Sequence, residues 1–259
     1  MKIATWNING IKARLPVVLQ WLERDKPDIA CLQEIKTVDE GFPVSDFEAL
    51  GYNVETHGQK SFNGVAILSR LKFDEVTRGL PGDSSDEQAR LIEGVFSVPS
   101  GVVRVCNIYL PNGNPVDSDK FPYKLKWMER LIAFTRARLT LEEPFILLGD
   151  FNLIPSAQDC HDPKAWWGDA LFREESLERF RELTALGLTD AVRAVTDAPC
   201  YTFWDFQSGA WRKDNGIRID HLLLSPQAAD RLNGVTVHRD VRGWDKPSDH
   251  VPVEGDFTF

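Results

Sequence analysis

The chain opens with MKIATWNINGIKARLPVVLQWLERDKPDIACLQE (residues 1–34), a stretch that predicts a strand, a helix and a second strand in succession. KIATWN (2–7) reads as a strand, and DIACLQ (28–33) is a short apolar run typical of a buried strand. Between them, residues 10–26 carry apolar side chains at helical spacing, and Pro27 is expected to end that helix.

The same alternation continues along the chain without linkers, low-complexity tracts or a short repeat. The alternation is too irregular for a regular series of strand–helix–strand units. It indicates two packed mixed sheets flanked by helices, an α/β four-layer sandwich. A length of 259 residues fits one domain, which we predict to span residues 1–259. Further strands are predicted at 52–56, 64–69, 91–97, 102–110, 145–148, 218–225, 235–238 and 251–257, and further helices at 118–140 and 174–186.

The composition is that of an ordinary globular protein, with 42% hydrophobic and 27% charged residues. Cys31 and Cys106 lie in apolar runs and none of the four cysteines forms a C-x-x-C pair, so reduced core thiols are expected rather than disulfides or zinc ligands. No apolar stretch approaches the ~20 residues of a membrane span, and the N-terminus enters a strand without a signal peptide. These features predict a cytoplasmic protein with no membrane partner.

The net charge of −9 argues mildly against a nucleic-acid partner, because phosphate contacts usually come with a basic surface. A divalent metal would add local positive charge, and several of the acidic residues would then be its ligands.

Polar side chains stand where the apolar strands stop. KIATW ends in Asn7, DIACLQ ends in Glu34, and FILLG ends in Asp150, with Asn152 two residues later. Ligands of α/β proteins bind in the crevice beyond strand ends, although single acidic residues are also common in turns. Three further residues share this placement near later strands: Asp220, Asp249 and His250.

Carboxylate and carboxamide oxygens favour a hard cation, so a Mg²⁺ site that also accepts Mn²⁺ is preferred over the turn interpretation. Zinc would require more His or Cys, and only His250 of the five histidines lies beside the cluster. A metal with a carboxylate and an imidazole is suited to phosphodiester hydrolysis. Asn152 and Tyr109 can donate hydrogen bonds to the charge that develops.

Six short motifs in order carry a family resemblance that spans essentially the whole chain. The chain resembles bacterial exonuclease III, within the endonuclease–exonuclease–phosphatase superfamily, and that resemblance implies a Mg²⁺-dependent DNA-repair nuclease. The motifs are ATWNINGI (4–11), LQEIK (32–36), NGVAILSR (63–70), GDFN (149–152), RIDH (218–221) and KPSDH (246–250).

The resemblance also implies roles for individual residues. Asn7 and Glu34 match a metal-binding pair, and Asp249 matches a further acidic position of that site. Asp150 matches the residue that activates water or protonates the leaving group, and His250 matches a histidine oriented by Asp220. Tyr109, Asn112 and Asn152 match groups that contact the phosphate. The predicted metal set is Asn7, Glu34, Asp150, Asn152, Asp249 and His250. Lys36 is either a site residue or a solvated lysine.

The segment YTFWDFQSGAWRKDNGIRID (201–220) mixes aromatic and basic residues and is predicted to hold DNA. Some of its four large aromatics are expected to be core residues instead. By resemblance, Phe203, Ile217 and Ile219 would line a pocket for a flipped-out abasic sugar. The other predicted DNA contacts of this segment are Trp204, Phe206, Trp211, Arg212, Lys213 and Arg218.

Four further residues have no single predicted role. Lys120, Lys124 and Lys126 form either a second DNA contact or a solvated helix face. His221 follows the RID motif and has no predicted role, and its side chain is expected on an outer face.

The predicted function is a nuclease that incises duplex DNA 5′ to abasic sites and removes nucleotides or blocking groups from 3′ ends, acting as a monomer. One rival is a phosphodiesterase or phosphatase of the same superfamily that acts on a phosphoinositide, sphingomyelin or RNA. A DNA-binding module without catalysis is a second rival, but it would have no need of Glu34, Asp150, Asp220 and His250 together.

Overall fold

The computed structural model describes residues 1–259 and contains twelve strands and eight α-helices. In chain order the strands are β1 Lys2–Asn7, β2 Ile29–Gln33, β3 Asn53–His57, β4 Val65–Ser69, β5 Glu75–Arg78, β6 Leu91–Val98, β7 Gly101–Tyr109, β8 Phe145–Asp150, β9 Thr189–Asp190, β10 Asp220–Leu224, β11 Leu232–Val237 and β12 Val253–Phe257. The helices are α1 Ile11–Asp25, α2 Val44–Glu48, α3 Lys120–Leu139, α4 Pro163–Trp166, α5 Glu174–Thr184, α6 Ala191–Val195, α7 Ala210–Lys213 and α8 Pro226–Ala229.

Two six-stranded sheets pack face to face. The first has the order β11-β12-β1-β2-β4-β3 and the second the order β5-β6-β7-β8-β10-β9. Each sheet has one parallel pair at its centre, β1 with β2 and β7 with β8, and its other pairs are antiparallel. The predicted fold class, two mixed sheets flanked by helices, is confirmed.

Apolar side chains fill three interfaces between four layers. Ile3, Val105 and Leu148 belong to the cluster between the two sheets. Outside the first sheet, the apolar face of α1 packs on β1 and β2. Outside the second sheet, α3 and α5 cover β7 and β8. None of the helices combines the length and apolarity needed to cross a bilayer.

The predicted strands and the three predicted helices are present in the structure, but the five short helices α2, α4, α6, α7 and α8 and two edge strands were not predicted. The sequence prediction missed β5 and β9, because β5 is the polar and largely exposed segment EVTR and β9 has only two residues. All four cysteines are free thiols, as predicted, and Cys31 and Cys106 are fully buried.

Two buried amides connect the sheets across the core. Gln33 on β2 donates to Thr5 Oγ1 at 2.8 Å and to Asn107 Oδ1 at 2.7 Å. Asn107 on β7 donates in turn to the carbonyls of Leu32 and Ala66, at 2.9 and 2.8 Å. Both amides are fully buried. A buried polar group that loses its partner is costly, so this network fixes how the sheets are placed on each other.

Replacing Asn107 by leucine is therefore expected to lower the free energy of unfolding by about 1–3 kcal/mol, because Gln33 loses one of its acceptors and the Leu32 and Ala66 carbonyls lose their side-chain donor. Urea denaturation would measure the change. The double variant Gln33→Leu/Asn107→Leu should recover part of the loss, because neither partner then remains unpaired. An unchanged midpoint in the single variant would contradict the assigned network.

Candidate active site

The candidate site lies at one end of the sandwich, where the four central strands finish. Parallel strands bring their carboxyl ends to the same edge, and β1, β2, β7 and β8 end at or just before Asn7, Glu34, Tyr109 and Asp150. Antiparallel β10 begins at the same edge, with Asp220 directly opposite Asp150 in the register.

The approach of β8 to β7 depends on a glycine. Gly149 has φ +145°, and a Cβ at this position would lie 1.9 Å from the carbonyl oxygen of Ile108. Any side chain would therefore push the two strands apart and displace Asp150. Asn152, two residues beyond Asp150, adopts φ +45°, a left-handed conformation that asparagine tolerates better than most residues.

His250 lies between two carboxylates. Its Nδ1 is 2.9 Å from Asp220 Oδ2, and its Nε2 is 3.8 Å from Asp150 Oδ2. The Thr202 hydroxyl donates to Asp220 at 2.6 Å, which fixes that carboxylate, and the Phe203 ring packs edge-on against the imidazole with centroids 4.9 Å apart. The side chains of His250, Asp150 and Asp220 are almost completely buried.

Burial and charge set the protonation of this cluster. Burial alone would lower the pKa of His250, but Asp220 and Asp150 outweigh it and raise the pKa above its usual value. Burial and the neighbouring Asp220 raise the pKa of Asp150, against the opposing effect of His250. A charged imidazole beside a carboxylate of raised pKa suits proton transfer near neutral pH.

Glu34 is more exposed than Asp150 and Asp220, with 19% of its side chain accessible. Burial would raise its pKa, but Lys36 and Asn7 lower the pKa overall. Lys36 Nζ lies 2.9 Å from Glu34 Oε2, and Asn7 Nδ2 donates to Glu34 Oε1 at 2.8 Å and to Asp150 Oδ2 at 2.9 Å. Two carboxylates thus converge on one amide group.

These residues fit a hard cation in their chemistry, because the converging donors are carboxylate and carboxamide oxygens. The Asn7 amide, however, turns its nitrogen toward both carboxylates, and its Oδ1 accepts the Asn9 N–H at 3.0 Å. Metal binding by Asn7 therefore requires its amide to rotate by half a turn. Asp249 Oδ1 lies on the other side of Asn9 and accepts from its Nδ2 at 3.2 Å.

The three residues predicted to contact the phosphate, Tyr109, Asn112 and Asn152, lie near Asp150. Asn112 Nδ2 donates to Asn152 Oδ1 at 3.0 Å, and Asn152 Nδ2 donates to the Leu110 carbonyl at 2.9 Å. Tyr109 lies close enough to Glu34 and Asp150 that burial and these acids raise its pKa well above its usual value. Its hydroxyl therefore stays protonated and can donate.

Several predicted DNA contacts are wrong in their placement. Trp204 is fully buried and its Nε1 donates to Asp214, so it cannot stack on a base. Lys124 is also fully buried, which excludes both a DNA contact and a solvated helix face for it. Trp211 is half-buried, and Phe206 and Arg212 are exposed on the same segment.

Arg218 and His221 form a buried network instead of the predicted phosphate contact and outer-face histidine. Arg218 pairs with Asp159 and Asp190, both at 2.7 Å, and is fully buried. His221 Nδ1 faces Arg218, and its Nε2 lies 3.0 Å from the Leu153 carbonyl. Burial lowers the pKa of His221 to about 4, so the ring is neutral. The network anchors the start of β10, and with it Asp220.

Ile217 and Ile219 are 1% and 2% exposed, and Phe203 bridges to both Ile217 and His250. The residues expected to line a sugar pocket therefore lie together beside His250, packed into the core beneath α3 and α5. The sequence prediction missed Trp6, whose buried Nε1 donates to the His250 carbonyl at 3.0 Å.

A sequence model of the endonuclease/exonuclease/phosphatase family matches residues 4–250, nearly the whole chain. The chain belongs to that family. Exodeoxyribonuclease III of Haemophilus influenzae is 35% identical over 266 aligned residues, which cover 99% of this chain and 100% of that protein. A Bacillus subtilis exodeoxyribonuclease is 30% identical, covering 98% of each.

Solved structures agree with this membership. A 3′-5′ exonuclease of Neisseria meningitidis superposes with a TM-score of 0.95 at 40% identity, and an AP endonuclease of Archaeoglobus fulgidus with 0.94 at 35%. A Neisseria 3′ phosphatase bound to a product DNA hairpin gives 0.96 at 39%. Each comparison covers 100% of both chains. The predicted family and a DNA-repair nuclease that hydrolyses phosphodiesters are confirmed.

Proposed function

We propose that residues 1–259 form one catalytic domain, a Mg²⁺-dependent nuclease. It hydrolyses phosphate esters at 3′ ends of damaged duplex DNA, both terminal phosphates and the diesters of 3′ nucleotides, and, as a second activity, phosphodiesters 5′ to abasic sites. The observation that carries the proposal is the convergence of Glu34, Asp150 and His250 at one sheet edge. The predicted cytoplasmic location and monomeric state remain predictions.

A groove without acids beside the site supports DNA as the substrate in spite of the net charge of −9. Its volume is about 570 Å³, and it begins at Tyr109 and Asn112. None of its twelve lining residues is acidic, and two, Arg90 and Lys120, are basic. Local charge and not net charge decides whether a phosphate chain can approach.

Each side chain of the site has a place in the proposed hydrolysis. Asp150, with its raised pKa, takes the proton of the attacking water. His250, held as a cation by Asp220, stabilises the negative charge on the phosphate. Asn152 and Tyr109 donate hydrogen bonds to the same group. When bound, Mg²⁺ neutralises charge on the phosphate and on the leaving oxygen.

Both ring nitrogens of His250 already face carboxylates. We therefore assign His250 the role of stabilising negative charge on the phosphate, and not that of a metal ligand. Its cluster with Asp150 and Asp220 is nevertheless tight enough to hold an ion, with ligand atoms within 4.8 Å of one another. Mg²⁺ is instead placed with Glu34, the more open carboxylate. Asn7 after rotation of its amide, Asp150, Asn152 and Asp249 remain its candidate partners.

The preference for 3′ ends has two supports. The two Neisseria structures, described as a 3′-5′ exonuclease and a 3′ phosphatase, are 39–40% identical to this chain. Ile217 and Ile219 are also almost completely buried, so their side chains offer almost no surface to a flipped-out sugar. A terminal phosphate needs no such extrusion.

A competition between three substrates tests the proposal. With Mg²⁺ present, we expect a duplex with a 3′-phosphate end to be processed at least about tenfold faster, in kcat/KM, than a duplex with one internal abasic analogue. A phosphoinositide should not be hydrolysed measurably. Faster turnover of the phosphoinositide would overturn the DNA assignment, and faster incision at the abasic analogue would reverse the order of the two DNA activities.

A further inference from the structure

Lys124 occupies a core position of an amphipathic helix. On α3 it follows Phe121 by three residues and precedes Met128 by four, in the apolar stripe that packs on the second sheet. Leucine or methionine would suit this spacing. The side chain of Lys124 nevertheless has 0% exposure, and no carboxylate lies close enough to form an ion pair with it. A buried ammonium is costly unless all its donors are satisfied.

Three main-chain carbonyls from three separate segments surround the Lys124 amino group. Nζ donates to the Asn152 carbonyl at 2.6 Å, to the Ala170 carbonyl at 3.0 Å and to the Asn112 carbonyl at 3.1 Å. An ammonium has three donors, and all three are used. The side chain therefore ties together the segment after β7, the segment after β8 and the loop before α5.

The methylene groups of Lys124 are also closely packed. A Cβ at Gly113 would lie 2.8 Å from Lys124 Cδ, and Gly113 has φ +92°. The chain between Asn112 and Asn114 thus rests directly on the methylene groups. Asn114 adds a second connection to the same loop, because its Nδ2 donates to Asp169 Oδ1 at 3.0 Å.

Two of the three residues whose carbonyls accept from Lys124 belong to the candidate site. These are Asn112 and Asn152, and each has a side-chain amide there. Lys124 holds only their main chains, which leaves the Asn112 side chain donating to Asn152 at 3.0 Å and the Asn152 amide 3.5 Å from Asp150. The short bond to the Asn152 carbonyl also holds a residue whose φ of +45° is unfavourable by itself.

We propose that Lys124 is a positioning residue for phosphate-ester hydrolysis, which holds the Asn112 and Asn152 amides in their reactive arrangement through their main-chain carbonyls. An apolar residue would fill the same space but leave three carbonyls without donors, and the segments would separate. This inference rests on the proposed function.

The test compares Lys124→Met with Lys126→Met. Lys126 is exposed on the same helix, two residues away, so its replacement makes the same chemical change without touching the segments. Lys124→Met is expected to lower kcat on the 3′-phosphate duplex by about 10- to 100-fold while KM stays within about twofold, because small misplacements of reacting groups are costly. Lys126→Met should leave kcat unchanged.

Hydrogen exchange gives a reading that does not depend on activity. Amides of residues 112–114 and 151–153 should exchange faster in Lys124→Met and not in Lys126→Met. If the wild type cleaves no DNA, the proposed function is wrong. The exchange data would still show whether Lys124 holds the two segments in place. An unchanged kcat, or a loss confined to KM, would overturn the inference.

A second variant covers the case in which Lys124→Met does not fold. Gly113→Ala keeps the ammonium but pushes the Asn112–Asn114 segment away from the lysine stem. It should show the same loss in kcat with KM retained. Normal kcat in a folded Gly113→Ala protein would count against the inference as well.

Discussion

Replacing Asp150 by asparagine is expected to lower kcat on DNA by about 10³- to 10⁴-fold, the full effect of losing a general base. An amide cannot take the proton of the attacking water, although it keeps the size and planar shape of the carboxylate that it replaces. KM should change much less, because the groove and the other phosphate donors remain. Steady-state kinetics on the 3′-phosphate duplex would measure both quantities.

The same variant should be at least as stable as the wild type in metal-free buffer. Because the pKa of Asp150 is raised in the fold, the folded state prefers the protonated carboxyl. The stability that this group contributes is thus present at low pH and is lost as the pH rises through the raised pKa. Asparagine is neutral at every pH and removes that cost, so the midpoint of thermal unfolding in EDTA at pH 8 should be equal or higher.

Asp230→Asn supplies the matched control, since Asp230 is exposed and far along the chain from Asp150. It makes the same chemical change and should alter neither kcat nor the unfolding midpoint. If Asp150→Asn kept more than about a tenth of the wild-type kcat, the carboxylate would not be the base. If it unfolded at a clearly lower temperature, its loss of activity would have a structural cause.

The site was predictable because it follows the sheet topology. Asn7, Glu34 and Asp150 each end an apolar strand that sequence patterns identify well, and the central strands of both sheets are parallel pairs. Once these strands align, their terminal side chains have to meet. The same rule placed Tyr109 at the end of the long apolar run in β7. Local patterns therefore determined both the core and the acids at its edge.

Other residues were misplaced because one-dimensional patterns do not show which polar side chains face inward. Arg218 lies two residues before Asp220 and resembled a phosphate contact, but its partners Asp159 and Asp190 are 59 and 28 residues away. Lys124 resembled a solvated lysine because its acceptors are main-chain carbonyls, which every residue possesses. Burial of such groups depends on tertiary partners that sequence spacing does not encode.

Removing the divalent metal is expected to abolish hydrolysis, and replacing Glu34 by glutamine should raise the Mg²⁺ concentration needed for half-maximal activity by about 100-fold. Glu34 is the only carboxylate of the site that is both partly exposed, with 19% of its side chain accessible, and paired with a cation, Lys36. The lysine beside this carboxylate lowers its pKa, so Glu34 is ionised at neutral pH and its oxygens can bind a cation. Loss of a single supporting group at a metal site already costs about 10- to 100-fold in affinity, and a direct ligand should cost at least that.

Metal-dependent stabilisation separates this prediction from any effect on catalysis. A ligand that binds only the folded protein adds about 2.7 kcal/mol at about 100 times its dissociation constant, so Mn²⁺ should raise the unfolding midpoint of the wild type and raise that of Glu34→Gln much less. Glu40→Gln, which replaces an exposed glutamate farther along the chain, should behave as the wild type. Equal stabilisation of Glu34→Gln and the wild type by Mn²⁺ would place the cation elsewhere, with the three buried groups Asp150, Asp220 and His250 as the next candidates. Because His250 is held between two carboxylates, a cation there would have to displace its proton, and metal affinity would then fall steeply with decreasing pH.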